Sequence, residues 1–143
     1  MTGSTTFDLS NIAMDFFDAC ETGKGWDVCK AFCHENASFA CQADALAGVT
    51  TLSAYCDWMK GMFGPVPNGS YELLAFAPDT KRGRVVAAAI FKGTNSGEGG
   101  PVPPTGNDVA SDYAYVISVD GDKVSGMVKI WNDTLALKEL GWV

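Results

Sequence analysis

Apolar residues along this chain first recur at helical spacing and later at strand spacing. From Phe7 to Glu21 they fall three and four residues apart, with Ile12, Phe16 and Ala19 beside Ala13, Phe17 and Cys20. Asp8, Ser10 and Asn11 can each cap the start of that helix. Thr22-Gly23-Lys24-Gly25 ends it, and Trp26, Cys29, Phe32 and Cys33 share one face of a second, short helix over about Trp26–Cys33. His34-Glu35-Asn36 reads as a turn, Ala37–Gln42 as a strand and Ala43–Val49 as a linker. Helical spacing returns over Leu52–Phe63, through Leu52, Tyr55, Cys56, Met59, Met62 and Phe63, with Thr50 as its predicted N-cap. The Gly64–Gly69 stretch, with prolines at 65 and 67, stops it.

Beyond that point the apolar runs favour strands: Tyr71–Ala77, Val85–Thr94, Val109–Val119 and Lys123–Trp131. A turn over Pro78–Gly83 separates the first two, and a loop of Gly, Pro, Asn and Ser the next two. Asp120-Gly121-Asp122 makes a tight turn before the last strand. Thr134–Leu140 closes the chain as a short helix ended by Gly141. Helices first and mostly antiparallel strands afterwards predict an α+β domain, with helices on one face of a curved sheet and a cone-shaped cavity between them. No repeat or linker divides the chain, so residues 1–143 are expected to form a single domain.

Composition narrows the partners. Apolar residues make up 47% and charged residues 19%, which suits a packed core. A net charge of −7 argues against nucleic acid and anionic membranes, which need clustered Lys or Arg. No run approaches the roughly 20 apolar residues of a membrane span. The first 20 residues lack a basic start and a cleavage signal, so a cytoplasmic location is expected. Cys20, Cys29, Cys33, Cys41 and Cys56 are an odd set, expected to be free thiols.

The residues Gly93-Thr94-Asn95-Ser96-Gly97-Glu98, followed by Pro103-Pro104-Thr105-Gly106, resemble the G-T-x-x-G-x…P-P-T-G-K segment common in SnoaL-like sequences, with Asn107 where Lys is usual. The Asp120-Gly121-Asp122-Lys123 turn, the strand ending in Trp131-Asn132-Asp133 and the closing Leu137-x-x-Leu140-Gly141 helix match as well. The chain thus resembles the SnoaL-like polyketide cyclase group of the nuclear transport factor 2-like superfamily over nearly its whole length. That resemblance implies a cone in which about three N-terminal helices lie on the concave face of a curved, mostly antiparallel sheet. It also implies a homodimer formed through the convex face. The same fold hosts cyclases, isomerases, dehydratases, epoxide hydrolases and binding modules, so it does not fix an activity.

Asp112 and Asp133 are the expected catalytic pair. Alternation places Asp112 with Ala110, Ala114 and Val116 on one face of its strand, where small neighbours leave room for a ligand. The opposite face, with Tyr113, Tyr115 and Ile117, is then assigned to the dimer contact. Asp133 is the position to which the resemblance assigns a general acid/base; the alternative is a cap on the last helix. A carboxylate in an apolar cavity has its pKa raised, and two such acids can divide acid and base roles. Tyr55, Trp58, Met59, Phe63 and Trp131 are candidate pocket walls, with Gln42, Asn95 and His34 as polar contacts. Asn95–Thr105 is long enough to be a lid or a dimer element. Cys29, Cys33 and His34 lack the spacing of a zinc site, and neither metal nor cofactor is expected. The favoured function is cofactor-free acid/base chemistry, of cyclase or isomerase type, on an apolar carbonyl compound. The alternatives are a non-catalytic ligand-binding or dimerisation module and a protein-interaction domain.

Overall fold

The computed structural model describes residues 8–143, and the expected helix start at Phe7 lies outside them. The elements are α1 (Leu9–Glu21), α2 (Trp26–Cys29, continuing as a 3-10 turn over Lys30–Phe32), β1 (Cys33–Cys41), α3 (Leu52–Met62), β2 (Ser70–Asp79), β3 (Arg84–Thr94), β4 (Asp108–Asp120), β5 (Lys123–Trp131) and α4 (Asp133–Leu140). Asp8 caps α1 by accepting the Ser10 amide at 2.9 Å. Thr51, and not Thr50, caps α3 through the Ala54 amide. The expected turn at His34–Asn36 lies inside β1, where a register slip between Cys33 and Ser38 takes up the irregular stretch.

The sheet order is β1-β5-β4-β3-β2, antiparallel except for the parallel β1–β5 pair. Pro78 is tolerated in β2 because that strand is an edge, where a missing amide breaks no second ladder. Register slips in the β2–β3 and β4–β5 ladders bend the sheet around its helices. Phe16, Phe17, Leu52 and Tyr55 pack from α1 and α3 onto Val85, Ala87, Ala89, Tyr115 and Ile117 of the sheet, and all nine are fully buried. Each large side chain so buried stabilises the fold by about 1.5–3 kcal/mol.

Strand β4 faces the other way from the sequence expectation. Val109, Ser111, Tyr113, Tyr115 and Ile117 point inward and are buried, while Ala110 and Asp112 are exposed on the outer face. Two tyrosines and an isoleucine remove far more apolar surface from water than Ala110, Ala114 and Val116 would, so the helices close over them. Tyr113, Tyr115 and Ile117 therefore need no partner subunit for burial. The convex face presents Val86, Val116 and Val128 in one register row, and Ala88, Ala114 and Ile130 in the next. Val86, Val128 and Ile130 are well exposed there.

Candidate functional site

Under α3, between the Val109–Tyr113 end of β4 and the Lys129–Trp131 end of β5, lies a small cavity of about 40 Å³. Its apolar wall is Trp58, Met59 and Met62 from α3, Phe91 from β3, and Trp131 from β5. Its polar groups are Glu21, Ser111, Tyr113 and Lys129. Each arrives by the periodicity of its element. Glu21 lies four residues after Phe17 on the buried side of α1. Tyr113 and Ser111 occupy the inward phase of β4, and Lys129 shares the inward phase of β5 with Met127.

Two of these groups, Lys129 and Glu21, are joined through Tyr55 and Tyr115 by one chain of hydrogen bonds. Lys129 Nζ donates to Tyr55 Oη at 2.9 Å, and Tyr115 Oη donates to Glu21 Oε2 at 2.6 Å. Tyr55 and Tyr115 are joined hydroxyl to hydroxyl. Since a phenol has one proton to give and Tyr115 gives it to Glu21, Tyr55 donates to Tyr115. The chain thus carries protons in one sense, from the Lys129 ammonium to the Glu21 carboxylate. Glu21 is 1% exposed and Lys129 6% exposed. Burial raises the Glu21 carboxyl, opposed by the Lys129 charge and by tyrosine hydroxyls. Burial likewise lowers Lys129, to about 8, opposed by Glu21. Lys129 Nζ also stands 4.1 Å from the centre of the Trp131 ring and 5.0 Å from that of Tyr55, which favours its cation.

Tyr113 stands apart. Its hydroxyl is buried on the cavity wall and, among the described residues, makes no hydrogen bond. Burial, then the neighbouring Glu21 carboxylate, push its phenol well up, so it stays protonated, with that carboxylate near it but outside hydrogen-bond geometry. An unpaired buried hydroxyl costs about 1–3 kcal/mol, which a ligand oxygen would recover.

Of the residues singled out from sequence, Trp58, Met59 and Trp131 line this cavity. Trp131 is held by its indole NH, which donates to Ser111 Oγ at 2.7 Å. Tyr55 lies one layer behind, as the acceptor of Lys129. Phe63 stacks edge-on against Phe91 behind the wall. Asp112 is exposed on the convex face and does not reach the cavity, because the strand phase is reversed. Asp133 is 9% exposed and lines an adjoining groove with Gln42, Cys41 and Lys129; its Oδ2 accepts the Ala45 amide at 2.9 Å. The cap of α4 is Asn132, which accepts the Leu135 amide.

Two polar candidates serve elsewhere. His34 Nε2 bonds the Asp120 carbonyl at the far end of β4 from the cavity. Asn95 is fully buried and acts as a hub: it donates to the Pro65 carbonyl at 2.9 Å and accepts from Thr105 and from the Trp142 indole. The 95–107 loop is thereby tied to α3's exit and to the C-terminus. Sequence reasoning missed Glu21 and Lys129, although both sit in phase with buried apolar neighbours.

All five cysteines are free. Burial pushes the Cys33 thiol up to about 12, which keeps it unreactive. Among the described residues no group of three His, Cys, Asp or Glu side chains is arranged to hold a metal, and no helix is long and apolar enough to cross a membrane.

A family model described as SnoaL-like polyketide cyclase matches residues 11–140. No curated protein matches. Among solved structures, a protein from Jannaschia sp. CCS1 provisionally described as a SnoaL-like polyketide cyclase superposes with a TM-score of 0.76 at 15% identity, over 98% of this chain and 96% of that one. IdmH of Streptomyces antibioticus, provisionally a polyketide cyclase, gives 0.75 at 15% identity, over 94% and 99%. An NTF2-like protein from Burkholderia xenovorans LB400 gives 0.64 at 19% identity, over 92% and 94%. At these identities the likeness shows a shared fold.

Proposed function

We propose, from the premise that this chain belongs to the SnoaL-like polyketide cyclase family, that it performs cofactor-free acid/base chemistry on a small apolar carbonyl compound able to form an enolate. The supporting observation is the unpartnered Tyr113 hydroxyl on an apolar wall beside Glu21. A carbonyl oxygen placed against Tyr113 accepts its proton in a hydrogen bond, and that bond strengthens as the oxygen becomes an enolate. Glu21, its carboxyl raised by burial, takes the proton from the adjacent carbon and returns it at the new position. Through Tyr115 and Tyr55 the Lys129 charge compensates the carboxylate when it forms. Proton transfer is assigned to Glu21 in preference to Asp112, which faces outward, and Asp133, which holds the Ala45 amide.

The test needs no natural substrate. Exchange of the α-protons of cyclohexanone in D2O is followed by NMR with the wild type, Glu21→Gln and Tyr113→Phe. Catalysed exchange is expected to fall by about 100-fold in each variant. Catalysed exchange that survives both substitutions, or none above buffer in the wild type, refutes the assignment.

We also propose that the Val86–Val128–Ile130 face carries a homodimer contact, since apolar side chains that protrude from a sheet in adjacent rows are better covered than wet.

A further inference from the structure

We infer that Lys129 is a carbonyl-condensing amine, which forms an imine with the ketone or aldehyde group of a small apolar ligand in the cavity. This rests on the reading of that cavity as a carbonyl site and deepens it. Among the described residues the ion pairs are Arg82–Asp79 and Lys92–Glu72, both on the surface; Lys129 has no carboxylate in direct contact. Its Nζ makes one hydrogen bond, to Tyr55, and otherwise faces the rings of Trp131, Trp58 and Tyr113 at 4.1, 5.3 and 5.6 Å. An amine walled by rings, with its counter-charge two phenols away, is a desolvated lysine of the kind that reaches its neutral, nucleophilic form near neutral pH. The groups that face it are Glu21 and Cys20 from α1, Cys41 from β1, Tyr55 from α3, and Tyr113 and Tyr115 from β4; Glu21, Cys41, Cys20 and the ring faces favour its charge while burial opposes it more strongly.

The step balances without an oxidant or reductant. Neutral Nζ attacks the carbonyl carbon; the π pair moves onto the oxygen, which Tyr113 holds and which takes a proton from Glu21. The carbinolamine then loses that oxygen as water. The nitrogen gives up its two protons, one replacing the proton supplied by Glu21 through the Tyr55–Tyr115 chain and one leaving with the water. Its lone pair closes the C=N bond. Protonated, the imine makes the adjacent carbon acid stronger than the parent ketone does, so the same Glu21 then works on an easier proton.

Acetylacetone is the probe, since its amine adduct is a stable conjugated enaminone that needs no reduction. The full chain is incubated with it, and the adduct, one probe gained and one water lost, is located by peptide mass mapping. Labelling of Lys129 is expected to be roughly tenfold or more faster than that of any other lysine, because a larger share of it is uncharged, and to rise through pH 8. Lys129→Arg is expected to remove the fast phase and its near-ultraviolet absorbance. Labelling of Lys129 no faster than that of the exposed Lys60 overturns the inference, and mapping on the wild type needs no variant that folds. Adduct-free protein that still exchanges cyclohexanone α-protons, with the exchange lost in Glu21→Gln, overturns the imine alone; loss of both signals from the wild type overturns the acid/base proposal as well.

Discussion

The buried Lys129–Glu21 pair predicts an unusual dependence of stability on pH. Lys129 is lowered in the folded protein to about 8, from an ordinary 10.5. Between those values the unfolded chain binds a proton that the native one does not. The contribution of Lys129 to stability therefore rises with pH in that window, the reverse of the gain from a lysine with a surface partner. Restricting the window to pH 8–9.5 keeps it below ordinary phenol titration and leaves a gain of about 1–2 kcal/mol from this residue. The assay is urea denaturation at half-unit steps over that range, for the wild type and Lys129→Met. Burial also keeps the Cys20, Cys33 and Cys56 thiols protonated where the unfolded chain ionises them, which takes stability away over the same range in both proteins. The wild type is therefore expected to gain that amount relative to Lys129→Met, which has the same thiols and no amine. At pH 7 the single variant is expected to cost about 3–5 kcal/mol, since it strands Glu21 without its compensating charge; Lys129→Met with Glu21→Gln should be milder than either alone. The same slope in the wild type and in Lys129→Met refutes the account of Lys129 as a buried amine.

Two further outcomes follow from the fold. Asn95→Ala removes an acceptor shared by Thr105 and Trp142 and a donor to Pro65, so urea denaturation is expected to show a loss of about 2–4 kcal/mol; a loss under 1 kcal/mol would mean the loop holds without its hub. Light scattering at micromolar concentration is expected to give a dimer mass for the wild type and a monomer mass for Ile130→Glu, and a wild-type monomer would remove the convex-face contact.

Local pattern was enough to locate nearly every element, because helix and strand spacing, glycine breaks and the Asp120-Gly121-Asp122 turn act over a few residues. The family motif likewise pointed to the α+β cone. Alternation along β4 divided its residues into two faces but could not say which was inside; that choice depended on α1 and α3 arriving over the tyrosines. Asp112 drew attention as an acid in an apolar strand, yet Lys129 meets the same description, between Val128 and Ile130 and in phase with Met127. Glu21 was equally legible as the residue one turn beyond Phe17. Neither could be told from a solvated charge, because their burial is tolerated only as part of a hydrogen-bonded chain through Tyr55 and Tyr115, which lie 60 residues apart in sequence. The sequence determined the elements and the fold they build; only the tertiary structure decided which side of β4 faces the helices and which charges are enclosed there, since a charge stays buried only where distant partners satisfy it.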